Sequence, residues 1–224
     1  MDDATPTTPL DVPPGVADVV FMGGSFDPPH MGHALLGELA RRYVGDGAWL
    51  ILVPAARSPF KDAGPAASDA QRVEMLNLAV LPNTRVWTDE IDRARPGEPS
   101  YTIDTLRRAR GWLDGHGNAG ARLWLLIGAD QAAAFHKWRE ATAILELARP
   151  LVLARDGLDF EKLLSPHWDA KTVSLWQAAV VPTPRLDVSS TALRHAIASG
   201  NVSPQRQWLH PAVARFVRKH GLYR

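Results

Sequence analysis

The 224-residue sequence contains no cysteine, which excludes disulfide bonds and thiolate metal sites. Its formal net charge is only +1, so bulk electrostatics does not predict a nucleic-acid-binding surface. It has no apolar run long enough for a membrane-spanning helix. Asp2 and Asp3 stand where a secretory signal peptide would carry positive charge, and no apolar signal segment follows. We therefore expect a cytoplasmic protein without a membrane or nucleic-acid partner.

The composition is that of a globular protein with a sizeable core, since 46% of the residues are hydrophobic and 22% are charged. The length predicts one α/β domain, with or without a small appendage. Residues 1–15 are rich in proline, threonine and aspartate, so we expect a flexible N-terminal tail. Residues 16–224 are then expected to form a single domain.

Apolar runs alternate with helical patterns along this domain. The predicted strands are Val16–Met22, Trp49–Pro54, Arg85–Trp87, Arg122–Ile127, Pro150–Ala154, Thr172–Leu175 and Ala179–Val181. The predicted helices are Ala34–Tyr43, Asp69–Leu81, Ser100–Leu113, two stretches ending at Phe135 and Leu147, Phe160–Leu164, one starting at Ser189 or Ser190, and Pro211–Lys219. The alternation predicts a mainly parallel sheet covered by helices on both faces, with ligands at the carboxyl ends of its strands.

One strand-to-helix turn concentrates glycine, proline and histidine. It reads Gly23-Gly24-Ser25-Phe26-Asp27-Pro28-Pro29-His30-Met31-Gly32-His33. The glycine pair lets a ligand approach the backbone, and a helix start offers unpaired N–H groups to an anion. His30 and His33 are three residues apart, so both can donate to phosphate oxygens. The turn therefore predicts a phosphate site.

The two histidines allow two other interpretations. They could be zinc ligands, but zinc would need a third protein ligand and none is indicated nearby. They could also be solvated histidines at a capped helix, an interpretation that the complete eleven-residue string disfavours.

A second motif opens a later helix, where Ser189, Ser190 and Thr191 are followed by Arg194. Hydroxyls, free N–H groups and a guanidinium together suit a polyphosphate. The alternative is an ordinary N-cap with a surface arginine. A second helix start at the same sheet edge favours the phosphate interpretation, because a triphosphate needs donors spread along its length.

Three weaker signals complete the candidate site. Thr102 offers a hydroxyl at a helix start and Trp138 a flat face for an aromatic ring, unless that tryptophan belongs to the core. Asp130 could bind a ribose or cap the next helix. Arg57 and Lys61 lie in a proline-rich loop that could reach phosphates or face solvent.

Together these residues resemble the HxGH nucleotidyltransferases, and specifically the bacterial nicotinate-nucleotide adenylyltransferases, from about Asp18 to the C-terminus. The glycine-histidine turn is similar to the family's GG-T-FDP-x-H-x-GH string, and the residues matching its other motifs are Val188–Arg194, Ser100–Leu106, Gly128-Ala129-Asp130, Trp138 and Leu222-Tyr223. Ser25 stands where the family commonly has threonine. Phe60 stands before Lys61 where the family often has histidine.

The resemblance implies a Rossmann-like doubly wound parallel sheet of the HxGH nucleotidyltransferase type. It implies transfer of AMP from ATP, with Mg²⁺ but no dedicated metal site, to nicotinate mononucleotide in NAD biosynthesis. It assigns catalysis to His30, His33 and Arg194. The implied ATP-binding residues are Gly23, Gly24, Ser25, Phe26, His30, His33, Gly128, Asp130, Ser190, Thr191 and Arg194. The implied pyridine-nucleotide-binding residues are Ser25, Phe26, Lys61, Thr102 and Trp138.

Alternatives remain from two directions. The same chemistry could act on nicotinamide mononucleotide, whereas the Ser-Tyr-Thr segment and Trp138 weigh against phosphopantetheine. The chain could also be a non-catalytic nucleotide sensor, because a fold does not determine a function. The oligomeric state is left open.

Overall fold

The computed structural model describes residues 8–57, 64–95, 98–153, 164, 166–184 and 186–224. The strands in this part of the chain are β1 (Asp18–Gly24), β2 (Trp49–Pro54), β3 (Thr84–Val86), β4 (Arg122–Gly128), β5 (Ala148–Leu153) and β6 (Val180–Val181). They form one sheet in the order β3-β2-β1-β4-β5-β6, and every neighbouring pair is parallel. The predicted parallel α/β sheet is confirmed.

The helices of the described residues are α1 (Met31–Val44), α2 (Asp69–Asn77), α3 (Asp89–Asp92), α4 (Thr102–Gly115), α5 (Ala129–Ala133), α6 (Ala141–Leu147), α7 (Ala170–Ala178), α8 (Ser190–Ala198), α9 (Val202–Trp208) and α10 (Pro211–Lys219), with a 3-10 turn at Phe135–Lys137. None of them is long and apolar enough to cross a membrane. The sheet is covered on both faces, because Val19 and Phe21 of β1 join one buried cluster while Val20 and Met22 join another.

The strand order changes direction between β1 and β4. In a doubly wound sheet this switch point opens a crevice beyond the carboxyl ends of the two strands. Gly23 and Gly24 end β1 there, and Gly128 ends β4. The fold therefore places the candidate glycine-histidine turn at the position where such sheets bind ligands.

The predicted strand at Thr172–Leu175 is wrong, because these residues lie in α7. The carboxylate of Asp169 accepts a hydrogen bond from the Thr172 N–H at 2.7 Å and so caps the helix. Val173 and Trp176, three residues apart, are both buried, which is helical rather than alternating spacing. The predicted helix Phe160–Leu164 lies outside the described residues except for its last position.

The large apolar residues of α1 do not form its core face, although Leu35, Leu39 and Tyr43 recur at helical spacing in the sequence. Leu35, Leu39 and Tyr43 are 42%, 39% and 53% exposed, whereas Gly37 and Ala40 are buried. A Cβ atom on Gly37 would lie 2.8 Å from Cδ2 of Leu50 on β2. The helix packs through its small residues because only they allow this close approach to the sheet.

Residues 8–15 depart from the prediction of a flexible tail. The side chains of Leu10 and Val12 are 1% and 4% exposed and join the cluster that contains Trp87. The indole N–H of Trp87 donates to the Thr8 carbonyl at 2.9 Å. The segment therefore covers one face of the sheet. Its mostly polar composition predicted a flexible tail, although Leu10 and Val12 are apolar and become buried.

Replacing Leu10 with alanine is expected to lower the free energy of unfolding by about 3 kcal/mol, because it removes a fully buried side chain and leaves a cavity. Leu35→Ala is the matched control, and we expect it to stay within about 0.5 kcal/mol of the parent because Leu35 is exposed. Urea unfolding of the three proteins measures both. Equal stabilities of the Leu10 and Leu35 variants would contradict a core role for the N-terminal segment.

Candidate functional site

A cavity of about 500 Å³ opens beside the switch point of the sheet. Its floor is formed by the ends of β1, β2 and β4, and its walls by the start of α4 and the 3-10 turn. Five residues from the predicted site line it, namely Gly23, Gly24, Ser25, Thr102 and Trp138. A volume of this size is ordinary for a small-molecule pocket. The structure thus gathers residues that are more than a hundred positions apart in the sequence.

Trp138 lies on an aromatic support at one wall of this cavity. Its ring is 4.8 Å from that of the buried Phe135, and the Phe135 ring in turn meets the buried Trp176 edge-on at 4.9 Å. Trp138 itself is only partly buried and lines the cavity. This packing holds one indole in place at the cavity wall, where it can receive a flat ring.

A buried carboxyl group, that of Glu90, also lines the cavity beside the start of α4. The hydroxyls of Ser100 and Thr105 donate to the two carboxyl oxygens of Glu90, at 2.6 and 2.9 Å. Burial raises the pKa of Glu90 above its ordinary value. The helix predicted to begin at Ser100 begins at Thr102 instead, with Tyr101 at the N-cap position, and the Ser100 hydroxyl is engaged by Glu90.

Two cations that the sequence did not single out also line the cavity, Lys137 and Arg139. The guanidinium carbon of Arg139 lies 4.6 Å from the centre of the Tyr101 ring, a cation–π distance. Arg139 is thereby held next to the N-terminus of α4, whose dipole is also positive. This side of the cavity has an electrostatic preference for an anionic group.

The two histidines of the turn form a stacked pair at the start of α1. Their ring centroids are 3.7 Å apart with an interplanar angle of 21°. The backbone N–H of His30 donates to Nδ1 of His33 at 3.2 Å, so neutral His33 carries its proton on Nε2. The ring of Phe26, which is buried, meets that of His33 edge-on at 5.0 Å.

Burial lowers the pKa of His30 to about 4. Among the described residues, its buried Nδ1 has no hydrogen-bond partner. This nitrogen is packed at the start of α1, 2.9 Å from the position that a Cβ atom on Gly32 would take.

Gly32 allows the glycine-histidine turn to pack closely against the segment that leads into α8. A Cβ atom at this position would lie 2.7 Å from Cγ1 of Val188 and 2.9 Å from Nδ1 of His30. Those distances are shorter than any ordinary contact, so a side chain here would displace the imidazole or the segment that leads into α8. The glycine between the histidines is thus required by close packing.

The second motif is bonded directly to the first. Ser189 caps α8 by accepting from the Ala192 N–H at 3.1 Å. The Ser190 hydroxyl donates to the Pro28 carbonyl at 2.9 Å. Arg194 donates to the Asp27 carbonyl at 2.7 Å and to the Thr191 hydroxyl at 3.2 Å. The starts of α1 and α8 therefore lie side by side at one edge of the sheet.

Asp27, to which the sequence motif gave no role, is the centre of this arrangement. Its carboxylate is 4% exposed and accepts from the backbone N–H groups of Ala66 and Ala67, at 2.7 and 3.0 Å. It also accepts from the Tyr223 hydroxyl at 2.8 Å. One side chain thus connects the turn, the loop before α2 and the C-terminus.

Arg72 is a second supporting residue that the sequence did not single out. Its side chain is completely buried, and its guanidinium donates to the carbonyls of Ser25 and Ala55, at 2.7 and 2.8 Å. It therefore fixes the backbone after β1 and after β2. The available signal was its position on α2, three and four residues before the buried Met75 and Leu76.

The remaining predicted residues lie at the margin. Gly128 is the N-cap of α5 and Asp130 is exposed in its first turn, and neither lines the cavity. The Arg57 carbonyl accepts from the Ser100 N–H at 3.2 Å, which joins the loop after β2 to the start of α4. Lys61 lies outside the described residues.

Comparison with known proteins places these features in a family. The profile of the cytidylyltransferase-like family matches residues 21–196. A Chromobacterium violaceum protein named "Probable nicotinate-nucleotide adenylyltransferase" is 36% identical over 222 residues, covering 93% of this chain and 99% of the relative. A Thermus thermophilus protein of the same name is 35% identical over 206 residues, covering 91% of this chain and 98% of the relative.

Solved structures show the same fold. The Plasmodium falciparum nicotinic acid mononucleotide adenylyltransferase complexed with NaAD has a TM-score of 0.65, with 92% of this chain and 97% of that chain covered. The sequences are 16% identical, so this likeness concerns the fold.

The lowered pKa of His30 predicts a specific loss of stability in acid. Because the folded-state value of about 4 lies below the ordinary 6.5, neutral His30 contributes stability that is complete above pH 6.5 and is lost as the pH falls towards 4. Between pH 7 and 4.5, the parent should lose about 2 kcal/mol more than His30→Gln in urea unfolding. The control is His195→Gln, which changes an exposed imidazole. A parent and His30 variant with the same acid dependence would refute the assignment.

Proposed function

This chain belongs to the cytidylyltransferase-like family and, within it, to the nicotinate-nucleotide adenylyltransferases, and we propose that it transfers AMP from ATP to nicotinate mononucleotide. The products are nicotinate adenine dinucleotide and pyrophosphate. The observation that carries the proposal is the placement of two phosphate-suited helix starts, α1 and α8, beside a cavity walled by Thr102 and Trp138. One nucleotide fits the helix starts and the other fits the cavity.

The chemistry requires positioning more than proton transfer. The 5′-phosphate of the mononucleotide is already a nucleophile at neutral pH, so no side chain has to deprotonate it. The site has to hold the attacking and leaving oxygens in line and to stabilise the charge that develops at phosphorus. We assign this role to His30 and His33, which present stacked imidazoles at the start of α1.

The proposed triphosphate site is the start of α8. Ser190, Thr191 and Arg194 would hold the β- and γ-phosphates, and hence the leaving pyrophosphate. Because Arg194 is already oriented by Asp27 and Thr191, its other N–H groups can act without large rearrangement. Gly128 and Asp130 are proposed to contact the adenosine, on the other side of the switch point.

The proposed mononucleotide site is the cavity. Trp138 would stack on the pyridine ring, Thr102 would meet its carboxylate, and the backbone of Gly23–Phe26 with the Ser25 hydroxyl would line the junction of the two nucleotides. Lys61 remains a proposed contact. The cations Lys137 and Arg139 and the start of α4 favour the acid over the amide, because only the acid carries a negative ring substituent.

Mg²⁺ is proposed to accompany ATP. Among the described residues, no three His, Asp or Glu side chains come together as a metal site. The ion would therefore be carried by the phosphates and water, where it would offset their charge. We further propose that the reaction takes place in the cytoplasm and needs neither a nucleic acid nor a membrane.

Pyrophosphate release from ATP tests the proposal directly. We expect release with nicotinate mononucleotide and much slower release with the amide, as measured by a coupled phosphate assay. His30→Ala should lower kcat by at least about 100-fold, because it removes a donor at the reaction centre, while the far-ultraviolet circular dichroism stays unchanged. Absence of release with both mononucleotides would leave the nucleotide-sensor alternative.

Trp138→Ala should raise KM for nicotinate mononucleotide about tenfold and change KM for ATP little, since one stacked ring is lost on one side of the site. Steady-state kinetics with each substrate varied in turn gives both values. Trp168→Ala is a suitable control, because Trp168 also packs near Phe135 but does not line the cavity. Equal changes in the two KM values would indicate that Trp138 acts only in packing.

A further inference from the structure

The C-terminus of the chain reaches back to the glycine-histidine turn. After α10, the Leu222 N–H donates to the Val217 carbonyl at 3.0 Å, and Gly221 and Tyr223 both have positive φ angles. This turn directs the Tyr223 ring inward, where it packs with the cluster that contains Leu193 and Val213. Its hydroxyl donates to Oδ1 of Asp27 at 2.8 Å.

The Asp27 carboxylate is shared between donors that compete for its oxygens. Oδ1 accepts from Tyr223 and from the Ala67 N–H, and Oδ2 accepts from the Ala66 N–H. Arg194 lies nearby, yet its Nη1 is 3.7 Å from Oδ2 and donates instead to the Asp27 backbone carbonyl at 2.7 Å. A direct ion pair between the two side chains would be about 2.8 Å long. The guanidinium is therefore close to Asp27 without being captured by its carboxylate.

Tyr223 can keep its hydrogen bond to the Asp27 carboxylate at every pH near neutrality. Burial and the Asp27 carboxylate raise the pKa of Tyr223 above its ordinary value, so its hydroxyl keeps the proton that it donates. The hydroxyl satisfies one carboxylate oxygen without adding a positive charge. If that donor were removed, Oδ1 would keep only the Ala67 N–H, and the cation nearest the carboxylate is Arg194, 3.7 Å from Oδ2.

We propose that Tyr223 is a positioning residue that keeps Arg194 available to the phosphates of the nucleotide by supplying the third hydrogen bond to the Asp27 carboxylate. This inference rests on the proposed role of Arg194 in binding the triphosphate. It gives the penultimate residue of the chain an influence on the reaction centre without any contact with substrate.

The variant Tyr223→Phe tests the proposal because it removes only the hydroxyl. We expect inorganic tripolyphosphate to bind about tenfold more weakly in isothermal titration calorimetry. KM for ATP should rise by a similar factor, whereas KM for nicotinate mononucleotide should change little. The matched control is Tyr43→Phe, because Tyr43 is 53% exposed on α1. Parent-like tripolyphosphate binding by Tyr223→Phe would overturn the proposal.

A double-mutant cycle separates positioning from general support of the C-terminus. If Tyr223 acts through Arg194, Tyr223→Phe should have no further effect on tripolyphosphate binding in an Arg194→Gln background. A full, additive effect in that background would overturn the proposal and leave Tyr223 as a structural anchor. Unchanged binding by Arg194→Gln alone would refute the triphosphate role of Arg194 and this inference with it, while pyrophosphate release by the parent would still support the enzymatic function.

Discussion

The phosphate half of this site depends on one buried carboxylate. A charge removed from water is costly unless hydrogen-bond donors surround it, so Asp27 requires partners with good geometry. They come from the loop before α2 and from the C-terminal Tyr223, while Arg194 of α8 donates to the carbonyl of the same residue. Three segments that are far apart in sequence are thereby fixed around one turn. The starts of α1 and α8 lie side by side for two reasons. Asp27 binds Arg194 of α8 through its backbone carbonyl, and Gly32 leaves room for Val188.

The parallel sheet places the cavity next to this turn. Because the strand order changes direction between β1 and β4, helices diverge on opposite faces and leave a crevice at the carboxyl edge. The cavity lies on the face that carries Phe21, Leu125 and Trp138, whereas α1 packs on the opposite face through Gly37. Gly23 and Gly24 lie between the cavity face and the α1 face of the sheet, and neither glycine has a side chain to block the crevice. In the proposed reaction both nucleotides must approach one phosphorus atom within bonding distance, and glycines at this edge leave room for that approach.

Local spacing predicted much of this arrangement, and tertiary partners explain the rest. The alternation of apolar runs and helical patterns was sufficient for a parallel sheet, and the two serine- or histidine-bearing helix starts were recognisable from a few consecutive residues. The inward face of α1 was not recognisable from the sequence. Leu35 and Leu39 look like core residues, but they are exposed because the helix approaches Leu50 closely through Gly37. Arg72 and Leu10 were missed for the opposite reason: they look like surface residues in the sequence but are buried in the structure. The buried Arg72 is explained by the two carbonyls and the Asp69 carboxylate to which it donates, and the buried Leu10 by the cluster that it joins.

The protonation of the histidines follows from the same packing and agrees with a positioning role. Burial keeps His30 neutral at physiological pH, and the hydrogen bond from the His30 backbone sets the tautomer of His33. A residue that had to act as a general acid near neutrality would be poorly served by a pKa of about 4. A hydrogen-bond donor to a phosphoryl group has no such requirement, because a neutral imidazole can donate from one nitrogen throughout the reaction.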